Sequence, residues 1–233
     1  MRLRCILLLV VAQEAYSQTP DFLLQRAWVI NNINIESGGG WHTVVNVRDI
    51  LDFSNDSLLA VKDIGVDDLQ LCEYKIDQNG KFTINDGSRY LIKMLSGDSL
   101  VLTDGSSTFS YTPLKDTKGA TYIDDAINNL LNSFWSYDST HKQQLAFSRD
   151  PFLVGEFDTG LMRFTETPLS KDSEKNEGGW IIENYKNTLL LTILPSKSYK
   201  RVTYQIDEIS DNHIKAIGWQ SGHYTIIKLY RLQ

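Results

Sequence analysis

Residues 23–28 read LLQRAW, and residues 130–135 read LLNSFW. In each stretch a pair of leucines is followed, after three intervening residues, by a tryptophan. One match of this kind between the two halves of a chain arises easily by chance. The segments downstream therefore decide whether it marks a repeat.

Two further segments match in the same order along the chain. Residues 82–84 (FTI) recur as residues 191–193 (LTI), and residues 90–92 (YLI) recur as residues 204–206 (YQI). Matches that keep their order across two halves of a chain are typical of a tandem duplication. The separation between matching positions grows slowly, which predicts loop insertions in the second copy, for example in the polar stretch 170–179.

Both copies have the pattern of antiparallel β-structure. Short apolar or alternating runs are separated by turn dipeptides such as Asn79-Gly80, Asp86-Gly87 and Asp104-Gly105. These dipeptides readily adopt the positive φ angles of tight hairpins. About eight such runs in each copy predict a mainly β fold, a meander that forms a sandwich or a barrel.

One segment has a helical pattern instead. In residues 122–134 (YIDDAINNLLNSF) the apolar side chains fall on one face of a helix, and these are Ile123, Ile127, Leu130, Leu131 and Phe134. The acidic pair in the first turn suits the positive end of the helix dipole. A polar stretch over residues 115–119 precedes the helix, so we predict two domains, over residues 18–118 and 119–233.

The first 17 residues have the pattern of a secretory signal peptide. Arg2 and Arg4 precede an apolar run over residues 5–12, and small residues before Gln18 predict cleavage there. The apolar run is too short for a membrane span, which takes about 20 residues. Cys5 begins this run and does not follow the predicted cleavage point, so it cannot serve as a lipoprotein cysteine. We therefore expect a mature chain that is secreted or periplasmic, without a lipid anchor.

The helical segment, the tryptophan on the first strand and the closing pair Tyr230-Arg231 resemble the lipocalin-like proteins, exported examples of which are common among Bacteroidota. The resemblance implies two tandem antiparallel up-and-down β-barrels joined by a short helix, each closed so that no strand edge is exposed. It also implies that Arg231 packs on Trp135 across one end of the second barrel. A guanidinium over an indole face is a favourable contact.

The first copy departs from this pattern. It has Trp28 but no arginine in its last strand, and Arg26 and Ser133 stand where the family has glycine. The alternative fold, if the repeat were accidental, is a single β-sandwich with an edge helix.

Aromatic residues on the predicted strands are the candidates for a binding interior, because an inward-facing Tyr or Trp offers an apolar body and a polar tip. The candidates are Trp28, Tyr90, Tyr111, Trp135, Tyr204 and Tyr224. We expect an exported, non-catalytic protein that binds a small hydrophobic or amphipathic ligand. The alternative is an interaction or structural module with side-chain-filled barrels. It would engage a protein partner through loops 36–42 and 167–179, with exposed aromatics such as Trp41 or Trp180.

Composition and motifs argue against several functional classes. The formal net charge of −6, from 23 basic and 29 acidic side chains, disfavours nucleic-acid binding, which needs clustered Lys and Arg. The four histidines have no metal-ligand spacing, although a site built from His213 and His223 on neighbouring strands stays open. Cys72 alternates with apolar residues and reads as a small buried hydrophobe. No nucleophile elbow, phosphate loop or dinucleotide-binding glycine pattern occurs, so we expect no enzyme, cofactor or metal.

Overall fold

The computed structural model describes residues 25–35, 48–55, 58–66, 68–116, 123–131, 133–136, 143–154, 157–166, 177–195, 202–220 and 223–232. Over these residues the chain forms two antiparallel β-sheets with one helix between them. No helix in this part of the chain is long and apolar enough to cross a membrane. The predicted signal peptide, residues 1–17, lies outside the described residues.

The first sheet is a meander of nine strands. They are β1 (Ala27–Ile35), β2 (Ile50–Asp52), β3 (Leu59–Lys62), β4 (Leu69–Cys72), β5 (Tyr74–Ile76), β6 (Lys81–Ile84), β7 (Arg89–Leu95), β8 (Leu100–Thr103) and β9 (Ser107–Pro113). Tight turns connect several of them, and Gly80, Gly87 and Gly105 have positive φ angles of 76°, 96° and 97°. Glycine adopts these angles without a steric penalty, which explains its place at the predicted turns.

The first sheet curls into a nearly closed barrel. Its strand order is β4-β3-β2-β1-β9-β8-β7-β6-β5, so β4 and β5 are its two edges. Only Glu73 separates these two strands in the chain, and its carbonyl oxygen accepts a hydrogen bond from the Asn85 N–H at 3.0 Å. β4 and β5 are therefore halves of one bent strand, which joins the edges covalently.

The helix α1 (Ile123–Leu131) leads into the second sheet. The strands of this sheet are β10 (Phe134–Ser136), β11 (Gln143–Val154), β12 (Phe157–Glu166), β13 (Glu177–Tyr185), β14 (Thr188–Pro195), β15 (Val202–Ile209), β16 (His213–Gln220) and β17 (His223–Leu232). Each pairs with the next, and β10 also pairs with β17, which closes the barrel.

The two sheets repeat one topology, as the sequence predicts. Trp28 lies in β1 and Trp135 in β10, while residues 82–84 and 191–193 lie in β6 and β14. Tyr90 and Tyr204 lie in β7 and β15, which again hold equivalent places. The predicted fold, two tandem antiparallel barrels joined by a short helix, is confirmed, and the single β-sandwich is wrong.

The barrels pack side by side through an apolar cluster that belongs to neither interior. Strand side chains alternate between two faces, so β1 sends Trp28 and Ile30 into its own barrel and Val29 to the neighbouring one. The buried members of this interface cluster are Ala27, Val29, Ile50, Ile64, Tyr185 and Leu190.

Candidate ligand-binding interiors

Aromatic side chains fill the interior of the first barrel. Phe53, Phe82, Tyr90 and Phe109 form a continuous chain with successive ring centroids 5.7, 5.8 and 5.8 Å apart. All four side chains are buried, and aromatic rings attract one another at such separations. Burial raises the pKa of the Tyr90 phenol, which keeps it neutral. Tyr90 is therefore part of a packed core.

Trp28 and Tyr111, the other candidate residues of the first barrel, belong to the same core. Their exposed fractions are 0% and 1%, and the Tyr111 hydroxyl donates to the Arg48 carbonyl oxygen at 2.8 Å. The first barrel thus brings its three candidate residues together in one core. The surrounding side chains shield all three from solvent.

A cation–π contact lies at the Trp28 end of the first barrel. Arg26 Cζ is 5.8 Å from the centroid of the Trp28 ring, and Arg26 Nη1 donates to the Gly97 carbonyl oxygen at 3.0 Å. The family pattern predicts such an arginine in the last strand, where the first copy has none, so the sequence did not point to Arg26. The signal was Arg26 itself, two residues before the tryptophan.

The second barrel has the corresponding contact from the other side. Arg231 Cζ lies 6.0 Å from the centroid of the Trp135 ring, and Arg231 Nε donates to the Ser133 hydroxyl. The Trp135 indole N–H donates to the carbonyl oxygen of Leu130, in the last turn of α1, at 3.2 Å. Leu130 and Ala126 are fully buried in the barrel core, so α1 covers this end of the barrel.

Inward-facing side chains of the second barrel remain partly exposed away from this end. Ile182, Tyr204 and Ile227 pack against the core cluster but are only half-buried. The Tyr204 ring lies directly over Gly218 on the neighbouring strand, and a Cβ atom at Gly218 would be 2.7 Å from its Cδ1 and Cε1 atoms. The missing side chain at Gly218 thus makes the space that the tyrosine ring occupies.

The remaining aromatic candidates have different outcomes. Trp180 is buried rather than exposed, with an exposed fraction of 6%, so the expectation of an exposed indole there is wrong. Its ring covers Gly160, and its Nε1 donates to the Ser148 carbonyl oxygen at 2.9 Å.

Tyr224 lies in β17 opposite Trp219, and its side chain falls outside the described part of the chain. Trp41 and the rest of loop 36–42 also lie outside it, as do residues 167–176.

Charged side chains at the first barrel form a bridge between two hairpins. Arg48 pairs with Asp63 at 3.1 Å and with Asp86 at 2.7 Å. Burial lowers the pKa of Arg48, but its bonds to Asp86 and Asp63 outweigh burial and raise it. Cys72 is buried nearby, and burial raises the pKa of its thiol. A neutral buried thiol is a poor nucleophile, in line with the expectation of a hydrophobic role.

A buried carboxylate joins the two barrels. Asp52 of the first barrel accepts hydrogen bonds from the Tyr185 hydroxyl at 2.8 Å and from Lys186 Nζ at 2.6 Å. Burial raises the pKa of Asp52, but the bonds from Lys186, Ser54 and Tyr185 outweigh it and lower the pKa overall. Burial, together with the Asp52 carboxylate, raises the pKa of Tyr185.

A second set of polar contacts lies along the same interface between the barrels. Gln205 of the second barrel is fully buried, and its Nε2 donates to the Pro113 carbonyl oxygen at 2.9 Å. Its Oε1 accepts the Lys115 N–H at 2.8 Å. The end of β9 is therefore held by the neighbouring barrel, a contact that no sequence pattern indicated.

Histidines do not assemble into a metal site in the described residues. His213 begins β16 and His223 begins β17, at opposite ends of the two paired strands. His213 Nδ1 lies 2.8 Å from the Ser210 hydroxyl, and its Nε2 lies 3.4 Å from Glu208. No group of three potential metal ligands occurs in the part of the chain that the structure describes.

No protein-family model matches the chain, and no curated protein matches it. Function is therefore inferred from the geometry of the two barrels alone.

Proposed function

We propose that this chain is an exported, non-catalytic, lipocalin-like protein whose second barrel holds a small apolar or amphipathic ligand. The first barrel then serves as a filled scaffold. The contrast between the two interiors carries the proposal. A chain of aromatic rings runs through the first one, with Tyr74 and three aliphatic side chains half-buried at its margin. The half-buried strand surface of the second instead includes Ile182, Ile227 and the Tyr204 ring.

The chemistry of the accessible side chains defines the ligand class. Two isoleucines offer apolar surface, and the Tyr204 ring adds a flat aromatic face. An uncharged or weakly polar molecule with a large apolar portion fits such a surface best.

The position of α1 sets the direction of access. The helix covers the end of the barrel at Trp135, where Leu130 and the indole share a hydrogen bond. A ligand therefore does not enter past α1. The signal-peptide pattern of residues 1–17 supports a role outside the cytoplasm, where such a protein meets its ligand.

Native mass spectrometry of the exported mature chain tests this proposal. A reproducible additional mass that disappears after solvent extraction is the expected result. The extracted protein should then bind the uncharged probe 1-anilinonaphthalene in one site, detected by fluorescence enhancement.

A matched pair of variants locates that site. Ile227→Trp places a bulky side chain inside the second barrel and should abolish probe binding. Ile226→Trp changes the next residue, which is 59% exposed on the outer face, and should leave binding intact. Equal effects of the two variants, or no binding by the extracted protein, would contradict the proposal.

The second candidate function is a protein-interaction module with two filled barrels. The packed aromatic core of the first barrel favours it, because the rings of Phe53, Phe82, Tyr90 and Phe109 fill space that a ligand would need. A bare polypeptide mass in every growth medium, together with no probe binding, would select this candidate over the carrier.

A further inference from the structure

An unpaired strand edge lies in the wall of the first barrel. The strand β4 (Leu69–Cys72) pairs with β3 along one side, from Leu59↔Cys72 to Lys62↔Leu69. Among the described strands none pairs with its other side, which we name the β4 edge. Unpaired N–H and C=O groups on such an edge are a template for an additional strand.

Comparison of the two barrels shows where pairing along this edge stops among the described strands. In the second barrel β14 runs to Pro195 and pairs with β13 as far as Gly178. The equivalent strand β6 ends at Ile84, and the chain turns back through residues 85–88. The half of the bent strand before Glu73 therefore extends beyond its partner, and the first barrel lacks the pair that corresponds to Gly178↔Pro195.

The side chains on the β4 edge are apolar and exposed. Leu69 and Leu71 are 48% and 59% exposed, and their spacing places them on the same face of the strand. Natural edge strands usually carry charges or proline to prevent pairing. Two exposed leucines beside free main-chain groups instead match the requirements of strand addition, in which side chains at alternate positions give specificity.

The charges that flank the β4 edge select its occupant. Asp68 and Glu73 stand at its two ends, exposed, and form no ion pair with a described residue. Antiparallel pairing with a second copy would place Asp68 of one chain beside Glu73 of the other. Like charges in opposite positions destabilise a strand pair, whereas Lys or Arg at these positions stabilise it.

We propose that the β4 edge is a docking site for an extended segment of a partner protein, with apolar residues at alternate positions and basic residues at both ends. The segment adds as a strand beside β4. This inference does not depend on a ligand in the second barrel.

Fluorescence anisotropy with labelled peptides tests the proposal on the whole mature chain. The peptide KKVTVTVKK should bind, and EEVTVTVEE should bind about tenfold more weakly because two exposed charge pairs are replaced by repulsions. A version of the basic peptide with N-methyl groups on alternate residues should not bind, since it cannot form the main-chain hydrogen bonds. Equal binding of the acidic and basic peptides, or no binding of the basic peptide at millimolar concentration, overturns the proposal.

Two surface variants separate the β4 edge from general adhesion. Leu71→Lys should weaken binding of the basic peptide about tenfold, because apolar contact is lost and like charge is added. Leu91→Lys is the control, since Leu91 is 38% exposed on β7, which pairs on both sides. Identical affinities of the two variants would place the peptide elsewhere. Sedimentation of the unliganded protein as a dimer that Leu71→Lys dissociates would assign the edge to a second copy and also overturn the proposal.

Discussion

Arg26 and Arg231 hold their guanidinium groups at the same point of the two barrels, although one precedes the first strand and the other lies in the last. Arg26 Nη1 donates to the Gly97 carbonyl oxygen at 3.0 Å, and Arg231 Nη1 donates to the Asp211 carbonyl oxygen at 3.1 Å. Gly97 and Asp211 occupy the same turn, between β7 and β8 and between β15 and β16. The contact with the indole is thus kept while the residue that supplies it differs.

We predict that Arg26→Ala and Arg231→Ala each lower the free energy of unfolding by about 1–2 kcal/mol, with the larger loss for Arg231→Ala because its Nε also donates to the Ser133 hydroxyl. Each variant loses a cation–π contact and a hydrogen bond to a turn carbonyl. Urea denaturation followed by tryptophan fluorescence measures the change. Arg89→Ala, at an exposed position of β7, serves as the control and should lie within about 0.5 kcal/mol of wild type. An unchanged free energy of unfolding in Arg26→Ala would show that the contact has no energetic role.

Acid should weaken the interface between the barrels through Asp52. An aspartate in an unfolded chain has a pKa of about 3.9, and the folded structure lowers the pKa of Asp52 below its ordinary value. Its contribution is therefore fully present above the unfolded pKa and is lost as the pH falls through the folded pKa. We predict that Asp52→Asn is less stable than wild type by about 3 kcal/mol at pH 7.

The same variant should show a smaller loss of stability between pH 5 and pH 3, because it has no carboxylate to protonate at this position. Urea midpoints across this pH range measure the slope. Asp98→Asn, at an exposed turn, is the control and should keep the wild-type slope. Parallel curves for wild type and Asp52→Asn would exclude Asp52 as the titrating group.

Two glycines with similar backbone angles should respond differently to alanine. Gly65 and Gly87 have φ angles of 82° and 96°, so either substitution costs about 1–2 kcal/mol of backbone strain. A Cβ atom at Gly65 would also lie 2.8 Å from Ile181 Cδ1 of the other barrel, whereas nothing lies within 4 Å at Gly87. Gly65→Ala should therefore be less stable than Gly87→Ala by about 1 kcal/mol in thermal denaturation. Equal melting temperatures would argue that the barrels separate readily at this contact.

The glycine beneath Tyr204 should be just as sensitive. Gly218→Ala forces the ring from its place, with an expected loss of about 2 kcal/mol. Gly97→Ala is the matched control, since nothing lies within 4 Å of its added Cβ atom. Urea denaturation measures both, and the anilinonaphthalene probe reports whether the displaced ring also reduces the accessible interior. An unchanged stability of Gly218→Ala would mean that the ring moves without cost.

The repeat was readable from the sequence because it depends on residues whose roles are local. Trp28 and Trp135 begin equivalent strands, and the turn at Gly80 needs a positive φ angle, so both leave a signature in the order of residue types. The short length of β6 left no signature in the sequence. Ile84 and Ile193 match, and only the structure shows that β14 continues beyond its isoleucine whereas β6 ends there.

The contact between the barrels could not be predicted from the sequence. Asp52 looks like a solvated strand end, and its burial depends on Tyr185, a residue of the other barrel. The candidate interior was predicted only in part for a similar reason. An inward-facing tyrosine such as Tyr90 or Tyr204 has the same sequence pattern in a packed core and in an accessible one, and neighbouring residues such as Phe82 and Gly218 determine which it becomes.

The hydrogen bond between Asp52 and Tyr185 spans 133 positions of the chain, and this separation affects the order of folding. The first barrel leaves the ribosome before β13 does, so Val29, Ile50 and the Asp52 carboxylate have no cover from the second barrel at that stage. Contacts between distant parts of a chain form slowly, and uncovered apolar surface promotes aggregation in the interval. Slow elongation of the second half should therefore lower the yield of the whole protein.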